Sequence, residues 1–370
     1  MIRISKILLI ATLVFTACST KDDGQDTAGT DGGGDTNSFD RGAMLENWAD
    51  NIIVPAFSNF KSSTQQLEDL TVAFTADPTE ENLIALKSQF ESSYIDFQTV
   101  AMFDLGKAEE LSYRRFLNTY PLAASEVENK IESGSYNLEL PSSFKEQGFP
   151  ALDYLLNGIG NANAEIVAKY SSENYRNYLL DVSKRINSLT AEVNASWQGD
   201  YRDTFVSNIS SSSTGSVDKF TNKYIMYYET FLRSGKIGYP AGAFTGNPSP
   251  INVEAYYSSD LSKKLYVQSL KTTQDFFNGK YFNTSQTGKS YKQYLEFLER
   301  GDLANDIISQ FNTINSQAAN LDDSFKSQVE TNNTLMLVAF DELQKEVVLL
   351  KLDMVQALSI SINYVDSDGD

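Results

Sequence analysis

Apolar residues recur at intervals of three or four along most of the chain. In the first half one such series is Leu83, Leu86, Phe90, Tyr94 and Phe97. Intervals of this size place side chains on one face of an α-helix. Two further series lie in the second half: Phe220, Tyr224, Tyr227 and Phe231, and then Leu343, Val347, Leu350, Met354 and Leu358. Strand-like alternation is almost absent, so the pattern predicts an all-α protein.

The same pattern predicts a series of helices joined by short connections. Their approximate bounds are 44–75, 79–104, 121–133, 149–157, 173–196, 217–233, 253–278, 290–297, 303–320 and 333–361. Short connections favour antiparallel neighbours, as in helical bundles. The serine-rich run 210–215 is the best candidate for a boundary. We therefore predict two packed helical bundles, an N-terminal one over 43–213 and a C-terminal one over 214–370.

The N-terminus has the pattern of a lipoprotein signal peptide. Arg3 and Lys6 precede an apolar run, 7–15, that is shorter than the roughly 20 residues needed to span a bilayer. Cys18 is the only cysteine and follows two small residues, as in a bacterial lipobox. We predict a signal peptide over 1–17 and lipidation of Cys18, which would anchor the protein to a membrane. A signal cleaved nearby without lipidation is the alternative.

The segment 18–42 is rich in glycine, threonine and aspartate and has no apolar period. Such a segment cannot bury enough surface to offset its ordering entropy, so it is predicted to be a flexible acidic tether. Its triplet Lys21-Asp22-Asp23 resembles the surface-export signal of some Gram-negative lipoproteins. We expect an outer-membrane lipoprotein exposed at the cell surface. The alternative is an anchor that faces the periplasm.

The charge balance excludes one class of partner. The chain has 49 acidic and 30 basic residues and a net charge of −19. Nucleic-acid phosphates require a basic face, so we expect no nucleic-acid binding.

Four segments, in this order, resemble the imelysin-like family. The first is FESSYIDFQTVAMFDLG at 90–106 with RRFLNTYP at 114–121, and the second is QGFPALDYLL at 147–156. The third is RSGKIGYPAG at 233–242, followed by VEAYYS at 253–258, and the fourth is the ending at 350–370. The resemblance implies two packed helical bundles with the second segment near the cleft between them. It also implies a bacterial envelope location and a link to iron or haem acquisition.

The second segment departs from the family's signature, G-x-H-x-x-E. Gly148 is present, but Pro150 stands where the histidine belongs and Asp153 where the glutamate belongs. One founding member of the family was described as a metallopeptidase. This chain has no histidine, and its only thiol is the predicted lipid-bearing Cys18. Zinc sites need imidazole or thiolate ligands, so we expect neither zinc nor peptidase catalysis, and no catalytic residue is assigned.

The remaining role for the signature is weak binding of a hard cation. Asp153 with oxygens from other helices suits Ca²⁺, Mg²⁺ or Mn²⁺. Alternatively, Pro150 occupies the first turn of a helix whose leucines pack inward, while Asp153 faces solvent or satisfies a neighbouring helix end.

Four further residues are candidates for the family's cleft. In RSGKIGYPAG, Lys236 could meet an anion from a loop; the alternative is a helix-terminating turn with Gly235 at its cap. The others are Glu254 and Ser258, on the predicted helix that follows, and Arg115 of the first half. Its neighbour Arg114 could face the same cleft, and the alternative for both arginines is pairing with carboxylates.

These observations favour a non-enzymatic lipoprotein that binds or presents a ligand within iron or haem uptake. Its expected partners are the membrane and components of that uptake, and iron or haem is the expected ligand. A metal-dependent peptidase with an altered site is one alternative. A module that binds glycans or proteins is another.

Overall fold

A computed structural model of the chain describes residues 38–258 and 260–364. The predicted signal peptide, Cys18 and the Lys21-Asp22-Asp23 triplet lie outside the described residues. Residues 39–42, which the predicted tether included, belong to the folded part. Asp40 caps the first helix by accepting a hydrogen bond from the Ala43 N–H at 2.9 Å. Arg41 is buried and forms an ion pair of 3.0 Å with Asp218.

The described residues form helices, with no β-strand among them, which confirms the all-α prediction. The first half contains α1 (Arg41–Glu46), α2 (Val54–Ala76), α3 (Glu80–Phe97), α4 (Lys107–Glu110), α5 (Tyr113–Leu117), α6 (Ala124–Ser133), α7 (Gly148–Asp153), α8 (Asn163–Lys169), α9 (Glu173–Gln198) and α10 (Asp200–Ser207). The second half contains α11 (Ser216–Met226), α12 (Tyr239–Ala241), α13 (Leu261–Phe277), α14 (Tyr291–Phe297), α15 (Gly301–Ala319), α16 (Phe325–Thr331), α17 (Thr334–Val347) and α18 (Val355–Ala357).

Four helices continue into wider π-helical turns. These stretches are Asn47–Ile53, Tyr154–Gly158, Tyr227–Gly238 and Val348–Met354, and two short 3₁₀ helices are Pro141–Glu146 and Pro250–Asn252. Pro55 lies directly after the first π-helical stretch, at the start of α2. A proline has no N–H to donate. At this position the wide turn has already displaced the helical hydrogen bond that the N–H would form, so the proline is tolerated. Within the predicted helix 44–75, Pro55 thus accompanies a change of helix type.

The helices bury the apolar faces that the spacing predicted. On α3, all five residues of the first series are buried. In the first half, α2 packs against both α3 and α9. In the second half, α17 packs against α15 and the stretch Tyr227–Gly238, while α13 packs against α15. Each half of the chain therefore contains its own group of packed helices, as expected for the fold class.

Contacts also cross between the two groups. Helix α13 packs against α3 of the first half. Near the N-terminus, the Trp48 ring lies 5.0 Å from that of Phe276 and 4.8 Å from that of Tyr291. The described residues from Phe39 onward form one compact unit, so 210–215 as a domain boundary stays a prediction. Within the described part of the chain, no helix is both long and apolar enough to cross a membrane.

Candidate functional site

The signature segment begins helix α7, and its glycine is required by the backbone. Gly148 has φ +75°, where residues with a side chain are strained. A Cβ at this position would collide with the main-chain carbonyl oxygens of Phe116 and Leu117. Gly148 is therefore needed whether or not a metal binds. Pro150 is buried in the first turn of α7, and Leu152, Leu155 and Leu156 pack inward, as expected.

Asp153 is the buried anchor of this helix. Only 1% of the residue is exposed. Its carboxylate accepts hydrogen bonds from the Tyr257 N–H at 2.8 Å and the Ser258 hydroxyl at 2.5 Å. Asn157 adds a third bond at 3.3 Å. Burial raises the Asp153 pKa to about 6, and these hydrogen bonds oppose the rise. Of the two alternatives without a metal, the structure places Asp153 against neighbouring backbone and not in solvent.

The segment that holds Asp153 is a series of turns, and the predicted helix over 253–278 is wrong in its first part. Helix α13 starts only at Leu261. In the segment before this helix, Ala255 has φ +56°, which an α-helix does not allow. The turn brings the backbone N–H of Tyr257 onto Asp153 and directs Glu254 into the interior. Glu254 and Ser258 therefore belong to one turn that contacts the signature helix.

Glu254 forms a buried ion pair with Lys236. One carboxylate oxygen contacts the Lys236 ammonium, and the other accepts a bond of 2.6 Å from the Asn118 amide. The Lys236 ammonium also donates to the Gln98 side-chain oxygen at 2.9 Å. Burial lowers the Lys236 pKa, and Glu254 opposes that effect. Because Gln98 and Asn118 come from the first half, this network joins the two groups of helices.

The network continues to the signature helix through aromatic rings. The Tyr94 hydroxyl donates to the Asn118 side-chain oxygen at 2.5 Å. The Tyr94 ring stacks on Phe149 with centroids 4.5 Å apart and planes 9° from parallel. Phe149 of the signature segment is thus connected to Glu254 through Tyr94 and Asn118.

Lys236 does not lie in a loop. The segment RSGKIGYPAG was expected to be a loop or a terminating turn with Gly235 at its cap, yet the π-helical stretch Tyr227–Gly238 includes most of it. Glycines permit the wide turns, and Pro240 falls at the start of α12, where no N–H is required. Gly235 allows a close approach instead of a cap, since a Cβ there would lie 3.2 Å from the Tyr120 hydroxyl.

A cleft of about 200 Å³ opens above this network. It lies between the end of α3 and the residues after α5 on one side and the Tyr227–Gly238 stretch on the other. Most of its surface is apolar or aromatic. Its lining residues are Phe97, Gln98, Ala101, Arg114, Asn118, Thr119, Tyr120, Tyr227, Thr230, Phe231, Gly235, Lys236, Tyr239 and Asn252.

Arg114 is the cleft arginine, and the structure places Arg115 elsewhere. The exposed Arg115 guanidinium lies 4.3 Å from the Phe144 ring centre, outside the cleft. The Arg114 guanidinium lies 3.7 Å from the centre of the Phe231 ring and 3.3 Å from Asp104. Burial lowers the Arg114 pKa, and Asp104 opposes that effect. Consecutive residues of a helix point about 100° apart, and the sequence alone did not decide which one faced inward.

The structure brings some predicted residues together and adds others. Lys236 lines the cleft, Glu254 lies directly beneath it, and Ser258 lies beside Asp153. A narrow space lined by Pro150, Asp153 and Tyr120 adjoins the cleft. The sequence alone does not mark four of the cleft residues as functional: Gln98, Asn118, Tyr120 and Tyr227. Tyr227 had been counted only as part of an apolar helix face.

The site does not have the ligands of a preformed metal centre. Among the described residues, no three His, Cys, Asp or Glu side chains lie close enough together to hold a metal ion. The polar groups around the cleft are instead two cations, three amides, three phenols and two threonine hydroxyls.

Two crystal structures share this fold. An iron-regulated protein A precursor from Parabacteroides distasonis has a TM-score of 0.69 and 16% identity, over 84% of this chain and 94% of that one. An imelysin-like protein from Psychrobacter arcticum has a TM-score of 0.70 and 15% identity, over 88% of this chain and 97% of that one. At such identities the similarity establishes the fold alone. No curated protein matches the chain.

The sequence model of the Imelysin family, which carries the name of a peptidase family, matches residues 53–350. This match covers most of the chain and confirms the resemblance found in the four segments. The chain belongs to the imelysin family.

Proposed function

We propose that this protein is a non-enzymatic accessory of iron or haem uptake and that its cleft binds haem or a similar flat iron carrier. The observation that carries the proposal is the composition of the cleft. Aromatic and apolar walls surround Arg114, Lys236 and two phenols, those of Tyr120 and Tyr227. Pockets for organic ligands commonly combine apolar walls with a few placed polar groups.

The chemistry of haem matches these groups. Its macrocycle is flat and apolar, which suits the partly exposed ring of Phe231 in the cleft wall. Its two carboxylates suit cations, and Arg114 and Lys236 line the cleft. Haem iron accepts a tyrosine ligand in some proteins, and Tyr120 and Tyr227 line the cleft. Burial raises the pKa of both phenols. Binding of the haem iron to one of them would therefore have to offset the free energy of ionising it.

The state of the acidic groups supports a binding role over a peptidase role. The Glu254 carboxylate is engaged by Lys236 and Asn118, and Asp153 is engaged by Tyr257 and Ser258. A general base must be free to take a proton from water or a nucleophile. In this site both carboxylates instead hold the turn 253–258 against neighbouring elements. The similar protein from Parabacteroides distasonis is described as iron-regulated, which agrees with a role in uptake.

Haemin titration of the purified full chain tests this proposal. We expect one saturable site, seen as a shift of the main haem absorption band. Tyr120→Phe and Tyr227→Phe should each be tested, and at least one should alter that band and weaken binding. The matched control is Tyr266→Phe, because Tyr266 is buried like Tyr227 but does not line the cleft. Unsaturable binding, or equal effects of all three substitutions, would refute the proposal.

We further propose that Cys18 carries a lipid anchor and that the protein is exposed on the outer membrane. The support is the apolar run and lone cysteine of the N-terminus, which lie outside the described residues. Cys18→Ala should release the protein from the membrane fraction or block its processing. Replacing Lys21, Asp22 and Asp23 by alanine should reduce cleavage by external protease. Retention of the Cys18→Ala protein in membranes at wild-type mass would contradict the anchor.

A further inference from the structure

We propose that a second site, on the surface beside the loop 242–249, binds a neutral carbohydrate. The site is a groove of about 390 Å³. Its side-chain lining consists mainly of Tyr239, Phe244, Thr245, Asn247, Ser249 and Asn252. The remaining lining is glycine and proline, so the groove contains no charged side chain although the chain has a net charge of −19.

Two aromatic rings stand exposed at this groove. Tyr239 is 41% exposed and Phe244 is 40% exposed. Their ring centroids are 5.1 Å apart, with planes inclined by 45°. Exposed rings that lie side by side provide apolar faces for the C–H faces of sugar rings, while their surroundings remain accessible to water.

Neutral hydrogen-bonding groups surround the rings. The Asn247 amide donates to the Thr245 carbonyl at 3.2 Å, and the Asn252 amide donates to the Ser249 hydroxyl at 3.0 Å. In the described part of the chain, neither Asn side-chain oxygen accepts a hydrogen bond. These two acceptors, fixed through their own amides, suit sugar hydroxyls. An anionic ligand would find no cation in the lining.

The loop that forms the groove is held in place. Gly242 has φ +75°, and a Cβ there would collide with the Asn247 carbonyl. The Ser249 N–H donates to the Pro240 carbonyl at 2.8 Å, and the Asn333 amide donates to the Ala241 carbonyl at 2.7 Å. Phe244 packs edge-on against Phe340 with centroids 5.4 Å apart. A prearranged groove avoids much of the ordering cost of binding.

This site is separable from the proposed haem cleft. Tyr239 and Asn252 line both spaces, but Phe244 and Asn247 line the groove alone. Substitution of Phe244 should therefore leave haemin binding unchanged. Failure of the haem proposal would not affect the carbohydrate proposal, because different residues and different ligands test them.

Saturation-transfer NMR on the full chain, with hexasaccharides as probes, provides the test. The probes are the neutral cello-, laminari-, malto- and manno-hexaoses and the charged hexagalacturonate. We expect at least one neutral hexasaccharide to bind and Phe244→Ala to weaken that binding by roughly tenfold, the effect of losing one aromatic contact. Phe244→Tyr should retain binding. Phe297→Ala, which removes a similarly exposed ring outside the groove, should also retain it.

Thermal unfolding of each variant establishes that it is folded. If Phe244→Ala does not fold, Asn247→Ala at an exposed loop position replaces it and should weaken binding by roughly threefold, the effect of one lost hydrogen bond. The proposal is overturned if no neutral hexasaccharide binds or if only hexagalacturonate binds. It is equally overturned if Phe297→Ala weakens binding as much as the groove variant does.

Discussion

The Asp153 carboxylate accepts a hydrogen bond from the Ser258 hydroxyl at 2.5 Å. This bond ties the signature helix α7 to the turn that contains Glu254. In the family's signature the corresponding position is a glutamate with a potential metal role. In this chain the shorter aspartate has a structural role: it is buried and holds the turn against α7.

Burial of Asp153 predicts a pH-dependent stability. Its pKa rises from 3.8 to about 6 in the folded state, so the folded protein binds this proton more tightly than the unfolded chain does. The contribution to stability is therefore greatest below about pH 4 and is lost as the pH rises to 6. The loss is at most about 3 kcal/mol.

Urea unfolding of the wild type and Asp153→Asn at pH 4 and pH 7 measures this effect. The variant does not titrate at this position. We expect its free energy of unfolding, relative to that of the wild type, to increase by up to about 3 kcal/mol between the two pH values. A difference that stays constant with pH would contradict the prediction.

Gly148→Ala should strongly destabilise the protein. The added Cβ would collide with two carbonyl oxygens at a φ of +75°. We expect a loss of more than about 2 kcal/mol in the free energy of unfolding. Gly301→Ala is the matched control, because no atom lies within 4 Å of its Cβ position. At the first residue of α15 it should be neutral or stabilise by up to about 1 kcal/mol. Equal effects of the two substitutions would disprove the backbone argument.

The ion pair between Lys236 and Glu254 should be costly to break from one side. Glu254→Gln leaves the ammonium buried without its anion, with an expected cost of roughly 3–5 kcal/mol. The double variant Lys236→Met with Glu254→Gln should recover part of this loss. As a control, Glu91→Gln breaks a partly exposed pair with Lys264 and should cost about 1 kcal/mol or less. Chemical unfolding of the wild type and the three variants measures these free energies. A loss of stability in Glu254→Gln smaller than that in Glu91→Gln would contradict the prediction.

Local patterns predicted most of the helices because apolar spacing depends on neighbouring residues alone. They failed where distant contacts decide the backbone. Residues 253–258 contain neither glycine nor proline to signal a turn, yet Ala255 adopts a positive φ within a turn that binds Asp153. The segment 233–242 contains three glycines and a proline, which resemble a turn, yet burial between helices keeps most of it helical.

The candidate site was only partly predictable for the same reason. The four family segments identified Lys236 and Glu254 individually, but their direct pairing and their bonds to Gln98 and Asn118 depend on packing between the two halves. The choice of Arg114 over Arg115 depends on the orientation of the five-residue helix α5. A single sequence contains little information about either.

Blocking the cleft tests most directly whether haemin binds there. Thr230 lines the cleft, and Thr230→Trp should fill much of its space. Thr75→Trp, at a half-buried helical threonine that does not line the cleft, is the control. The dissociation constant for haemin should increase by at least about tenfold in Thr230→Trp, a change of about 1.4 kcal/mol, and stay unchanged in Thr75→Trp. Unchanged haemin binding by a folded Thr230→Trp protein would contradict the account.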